Sequence, residues 1–267
     1  MEIGADSRAG RAGRLFCAVG LICCAIAGRA AGTPDFSEAA AILQRGIQDH
    51  AFPGCTVVVG TEDKVLWSEA FGCLDYEHGV PVTRQTLYDL ASVTKVVGTT
   101  AVFMQLVQQG KVRVADPVSK YLPEFIELAP TAEDRARREQ VTVEHLLTHT
   151  AGFIAWKAYY RSHTNYAAML RAILTTPLER DPGTQTRYSD FGMLLAGEVA
   201  ARAGPKPLAE LARELVFAPL GMTHTQRTPP PQLRARIAPT ERWPDSTNFV
   251  HGVVHDENSR AAEGITG

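Results

Sequence analysis

Tyr88-Asp89-Leu90-Ala91-Ser92-Val93-Thr94-Lys95-Val96-Val97 is the stretch on which the fold turns. Beyond it Val93, Val96, Val97, Thr100, Phe103, Met104 and Val107 recur at helical spacing, and Gly110 is a natural helix stop. Ser92 opens this predicted helix. Lys95 follows three residues later, so both side chains share nearly one face, one turn apart. A hydroxyl at a helix N-terminus meets free N–H groups and the positive end of the dipole, which stabilise negative charge growing on a substrate oxygen. A buried lysine beside it sheds its proton more readily and helps to activate the hydroxyl. The plainer account makes Ser92 an N-cap and Lys95 a solvated side chain, since a Ser-x-x-Lys pair arises by chance about once in a chain of this length.

On the N-terminal side, the apolar positions Ala40, Ile42, Leu43 and Ile47 predict an amphipathic helix from Ser37 to about His50, stopped by Pro53-Gly54. Cys55 to Val59 and Lys64 to Phe71 then read as two strands joined through Thr61-Glu62-Asp63, a β-hairpin. On the C-terminal side, Asp116-Pro117 starts a short helix, and Thr142 caps another over Val143 to His149 that Gly152 closes. Residues 154–186 read as looped, with Asp181-Pro182-Gly183 as a turn. Phe191, Leu194, Leu195 and Val199 mark a helix ended by Gly204-Pro205, and Leu208, Leu211 and Leu215 mark one more. The last forty residues hold no convincing strand.

Of the 267 residues, 45% are hydrophobic and 21% charged, the balance of a globular chain with a sizeable core. A formal charge of −2 gives no footprint for nucleic-acid binding. Arg8, Arg11 and Arg14, the apolar run 15–27 and the small residues after it describe a secretory signal peptide over 1–31. That run is too short to span a bilayer, which needs about 20 residues, so the mature domain, 32–267, is expected in the periplasm or secreted. Cleavage removes Cys17, Cys23 and Cys24. Cys55 and Cys73 remain, flanking the hairpin but not opposite each other in its simplest register, so no disulfide is expected.

The stretch 88–97, continuing through Gly110-Lys111-Val112 and Asp116-Pro117-Val118, resembles the serine β-lactamase and penicillin-binding-protein superfamily. Within it the chain is most similar to the branch of class C-like enzymes, D-Ala-D-Ala peptidases and esterases. Leu146-Leu147-Thr148-His149-Thr150-Ala151-Gly152-Phe153, Tyr188-Ser189-Asp190-Phe191-Gly192 and Pro219-Leu220-Gly221-Met222 extend the resemblance in the same order, over about residues 40–225. It implies an α+β fold, an antiparallel sheet flanked by helices plus a helical domain. It also implies an acyl-serine hydrolase acting on a β-lactam, an ester or a D-amino-acid peptide, with no cofactor. Carried over, Ser92 is the nucleophile, Lys95 assists proton transfer, and Tyr188 is the general base or proton shuttle. Asp190 stands where the family's Tyr-x-Asn motif has asparagine. An ionised aspartate only accepts hydrogen bonds, so it either holds Lys95 by a charge-assisted bond or caps the following helix, and it disfavours β-lactam turnover more than ester or peptide acyl transfer.

The family's third element, a strand carrying Lys-Thr-Gly or a variant such as His-x-Gly, has no convincing copy between Tyr188 and Gly267. The C-terminal strands are therefore expected to be missing and the hairpin to stand nearly alone, which for two strands is marginal. The alternative expectation is a catalytically inactive truncated homologue or a cell-wall-binding pseudoenzyme. His251, His255, Asp256 and Glu257 supply metal-ligand types, but Gly252-Val253-Val254 is a poor helix spacer and a solvated loop is the better account, so no metal is expected. His149 reads as structural, tying a helix end to a neighbouring loop.

Overall fold

A computed structural model describes residues 34–163, 165–244 and 246–261. The expected signal peptide, 1–31, and its three cysteines lie outside the described residues. Helix α1 (Ser37–Gln48) forms where the spacing places it, and it lies against the hairpin of β1 (Gly54–Gly60) and β2 (Val65–Gly72). Phe36, just before α1, stacks on Trp67 of β2 with centroids 5.1 Å apart. The strands are antiparallel, with Cys55 opposite Phe71 and Val59 opposite Trp67, and the register slips after Val59. The Thr61 N–H donates to the Lys64 carbonyl at 2.9 Å to close the turn. Cys73 lies two residues beyond the partner of Cys55, and both thiols are free. Among the described residues this hairpin is the whole sheet.

The segment after Asp89 departs from the regular helix of the sequence pattern. Ala91–Val93 is a 3₁₀ turn, Lys95–Thr100 winds as a π-helix, and only then does α2 (Ala101–Gln108) begin. A π turn holds about one residue more than an α turn, so it rotates everything downstream out of the phase that a 3.6-residue period assumes. The buried face accordingly carries Val102, Phe103 and Leu106, while Val93, Val96, Met104 and Val107 are exposed. The stop is as expected. Gly110 takes φ +69°, and the Lys111 N–H reaches back to the Leu106 carbonyl at 2.9 Å.

After a 3₁₀ turn at Val118–Lys120 come α3 (Glu124–Glu127), α4 (Ala132–Arg138) and α5 (Val143–Leu147). Thr142 caps α5 as expected, in a capping box with His145. Residues 154–186 are not all loop: α6 (Tyr166–Leu174) is capped by Asn165 and buries Met169, Ala172, Ile173 and Leu174. Helix α7 (Asp190–Ala203) is apolar on nearly every side, with nine of its residues buried, and it runs through the core against α2, α5 and α8 (Leu208–Ala212). Its N-cap is Ser189, whose Oγ accepts from the Gly192 N–H, so the capping role entertained for Asp190 falls to its neighbour. A π turn, Arg213–Phe217, extends α8, and α9 (Glu257–Ala261) follows a long stretch without strands.

Among the described residues one charged side chain lies wholly inside. Arg138 is 0% exposed, pairs with Asp134, and donates to the carbonyls of Phe125, Leu174 and Thr176 at 2.5–2.8 Å. It ties α3, α4 and the end of α6 together.

Candidate active site

Asp89 sets the approach to Ser92. Its Oδ1 accepts the Ala91 N–H at 2.8 Å, an Asx turn that carries Ala91 into the left-handed region at φ +44°. A non-glycine residue there is strained by about 1 kcal/mol or more. The turn leaves Ser92 exposed at the start of the helical run, with Lys95 tucked beneath it, only 8% exposed. Lys95 Nζ donates to Ser92 Oγ at 3.3 Å. From 96 residues away, the Tyr188 hydroxyl donates to the same oxygen at 2.8 Å. Asp190 Oδ1 meets Lys95 Nζ at 2.9 Å, and that ammonium stands 5.3 Å from the centre of the Tyr188 ring. All four residues singled out in the sequence, Ser92, Lys95, Tyr188 and Asp190, therefore converge.

The protonation of the lysine differs from the expectation. Burial pulls the Lys95 ammonium down, but its hydrogen bonds to Tyr188 and Asp190 and the Asp190 charge outweigh burial, and its pKa lies above the ordinary lysine value. Lys95 is an ammonium here, a fixed positive charge and donor rather than a base. The Tyr188 hydrogen bond leads this upward pull, and Asp190 adds a hydrogen bond and a negative charge that an asparagine in its place does not bring.

Tyr188 is presented by an irregular segment, so other contacts must hold it. The loop after α5 does so. Gly152 takes φ +92° and its carbonyl accepts the Glu179 N–H, while the Thr150 carbonyl accepts the Gly183 N–H, both at 2.9 Å. A Cβ on Gly152 would lie 2.2 Å from the Arg180 carbonyl oxygen, so this approach needs glycine. His149 continues the seam to the tyrosine: its carbonyl accepts the Arg187 N–H at 2.8 Å and its Nδ1 the Ser189 N–H at 3.2 Å. This is the helix-to-loop tie read from the sequence.

The cleft over Ser92 has a volume of about 130 Å³ and is lined by Asp89, Ser92, Lys95, Asp190, Val254, His255, Asp256 and others. The segment from Val254 onward, a solvated loop by its sequence pattern, forms the wall facing the serine. The His255 N–H donates to Asp89 Oδ2 at 3.0 Å, and Asp256 Oδ1 accepts the Ser259 N–H to start α9. Asn258 of α9, 1% exposed, bonds to the Tyr160 N–H and the Lys157 carbonyl. Nothing local in the sequence marks this wall, because its partners are about 100 to 166 residues away. The histidines considered as ligands are spoken for: His251 Nε2 donates to the carbonyls of Arg234 and Ile237, and His255 Nε2 meets Glu241 at 2.7 Å.

The chain is similar to several known proteins. The family model described as Beta-lactamase matches residues 39–266. A protein of Salmonella agona (strain SL483), provisionally named D-alanyl-D-alanine carboxypeptidase, is 29% identical over 242 residues, covering 79% of this chain and 55% of that protein. Among solved structures, EstCE1, described as a hydrolase with promiscuous acyltransferase activity, matches with a TM-score of 0.66 at 26% identity, over 75% of this chain and 55% of the other. A class C beta-lactamase from Rhodobacter sphaeroides shares the fold, with a TM-score of 0.64 at 24% identity over 82% of this chain and 60% of the other. The chain thus spans about half the length of the curated relatives it matches.

Proposed function

The chain belongs to the Beta-lactamase family, and from that premise we propose that it is a serine hydrolase working through an acyl-serine intermediate on an ester, a D-amino-acid peptide or a β-lactam. The observation that carries the reading is the meeting at Ser92 Oγ of the Tyr188 hydroxyl at 2.8 Å and the Lys95 ammonium at 3.3 Å. A nucleophile with its proton acceptor in hydrogen-bond reach, and a third group to orient them, is the arrangement that acyl transfer requires.

In the reacting state the Tyr188 oxygen, as a phenolate beside the Lys95 ammonium, takes the hydroxyl proton as Ser92 Oγ bonds to the acyl carbon. The bond to the leaving group then breaks, and that group departs with the proton. Water, deprotonated by the same tyrosine oxygen, attacks the acyl-serine ester, and as the C–O bond to Ser92 breaks the tyrosine returns that proton to Ser92 Oγ and the acid product leaves. Lys95 stays charged throughout, held by Asp190. The negative charge of Asp190 favours ester and peptide substrates over β-lactam turnover, and the basic, apolar leader supports action in the periplasm or outside the cell. The experiment is labelling of the purified chain with a fluorophosphonate and a fluorescent penicillin. A covalent adduct on Ser92 that is lost in Ser92→Ala is expected. A cooperatively folded chain that neither reagent labels would end the proposal and favour a binding protein.

A further inference from the structure

Between α5 and α7 one residue, His149, contacts Tyr188 and the residue on either side of it. The His149 carbonyl accepts the N–H of Arg187, the residue before the tyrosine, at 2.8 Å. The His149 Nδ1 accepts the N–H of Ser189, the residue after it, at 3.2 Å. The imidazole itself lies against the phenol ring, with centroids 4.6 Å apart and planes inclined by 37°. His149 reaches this place through a left-handed backbone, φ +58°, a conformation that histidine and asparagine adopt more readily than most residues. Tyr188 itself is half-exposed.

We propose that His149 is the positioning residue for Tyr188, and that it works only as the neutral imidazole. The inference rests on the acyl-serine reading of the site. A nitrogen that accepts a backbone N–H cannot carry a proton, so Nδ1 is bare and the ring proton sits on Nε2. Protonation at Nδ1 sets two donors face to face, which opens the bond to Ser189 and frees one flank of the tyrosine. It also places a second cation beside Lys95. The charged and titratable groups that face the ring are Lys95 from the π turn and Tyr188 and Asp190 at the start of α7. Burial first, then the Lys95 charge, holds His149 below the usual histidine range, against smaller opposing pulls from the Ser189 contact and from Asp190. The clamp is therefore closed at neutral pH and opens in acid, and the acid limb of activity belongs to a residue that never meets substrate.

His149→Asn and His149→Gly separate the parts of this claim, and both tolerate the left-handed backbone. Asparagine keeps an acceptor near the Nδ1 position but does not titrate. Glycine keeps only the carbonyl bond. With a small ester, His149→Gly is expected to lose about 10²-fold in kcat, the cost of a misplacement near 1 Å, with KM little changed. His149→Asn is expected to recover most of that loss and to lack the acid limb of the wild type. An asparagine variant as impaired as the glycine one, or one that keeps the wild-type acid limb, overturns the proposal. A second measurement does not need turnover: the Tyr188 ring resonances, assigned with Tyr188→Phe, should move with the titration of His149 in the wild type and stay still in His149→Asn. If the wild type hydrolyses nothing through Ser92, the acyl-serine reading fails, and these resonances alone decide the clamp; indifference of the Tyr188 ring to His149 refutes it.

Discussion

Replacing Tyr188 with phenylalanine deletes one oxygen and little else. The ring keeps its contact with His149 at 4.6 Å and its place 5.3 Å from the Lys95 ammonium. The hydroxyl sits on a residue that is 49% exposed, so water replaces its bond to Ser92 and no buried group is orphaned. Stability should change by less than about 1 kcal/mol. The rate is another matter. Were the 2.8 Å contact an ordinary hydrogen bond, worth about 0.5–1.5 kcal/mol, its loss would slow acylation about 2- to 13-fold. If the tyrosine oxygen receives the Ser92 proton in the transition state, the loss is about 10²–10⁴-fold, or roughly 3–5 kcal/mol of barrier. The two ranges do not overlap. The assay is the second-order rate of fluorophosphonate labelling at Ser92, with thermal unfolding followed in parallel. A Tyr188→Phe variant that melts with the wild type and labels within about tenfold of it would contradict the proton-transfer role.

Three further outcomes are expected. Arg138→Met leaves Asp134 as an uncompensated buried charge, so unfolding in urea should show a loss of about 3–5 kcal/mol, and adding Asp134→Leu should restore part of it. Lys95 has its pKa raised in the fold, so its contribution to stability is whole below the ordinary lysine value of about 10.5 and disappears as pH climbs through the higher folded value. Urea midpoints of the wild type and Asp190→Asn should accordingly differ by a constant amount up to about pH 10 and converge above it; a gap that widens there contradicts the pairing. Gly152→Ala forces a side chain onto the Arg180 carbonyl at a positive φ, and calorimetry should register a loss above about 1 kcal/mol together with slower labelling of Ser92.

The chemistry was legible because it is written in short-range terms. Ser92 and Lys95 are three residues apart, and any helical winding puts them on one face. Tyr188 and Asp190 straddle a helix start that Phe191, Leu194 and Leu195 announce. The hairpin and the caps at Thr142 and Gly110 follow from the same local rules, and the structure agrees with each. The differences from the sequence reading have separate causes. The burial of α2 turned on the π winding of Lys95–Thr100, which no apolar period reveals. Helix α6 carries helix formers of its own, Ala167-Ala168-Met169-Leu170 behind the Asn165 cap, and the mixed composition of the stretch around it hides them. The protonation of Lys95 depends on a phenol and a carboxylate more than 90 residues away.

Sequence alone determined which side chains were available and the local geometry that readies them: a serine one turn from a lysine, a tyrosine at a helix entrance, glycines where the chain must turn. It determined the family as well. Tertiary structure decided what those groups are. Packing of α7 against α2 brings the phenol to the serine, Asp190 keeps the ammonium charged, and His149 holds the tyrosine from behind. The physical reason is range. Backbone preference and side-chain spacing act over one or two turns of chain, whereas the electrostatic state of a buried group is set by whatever charge lies within a few ångströms, and only the folded core says which residues those are.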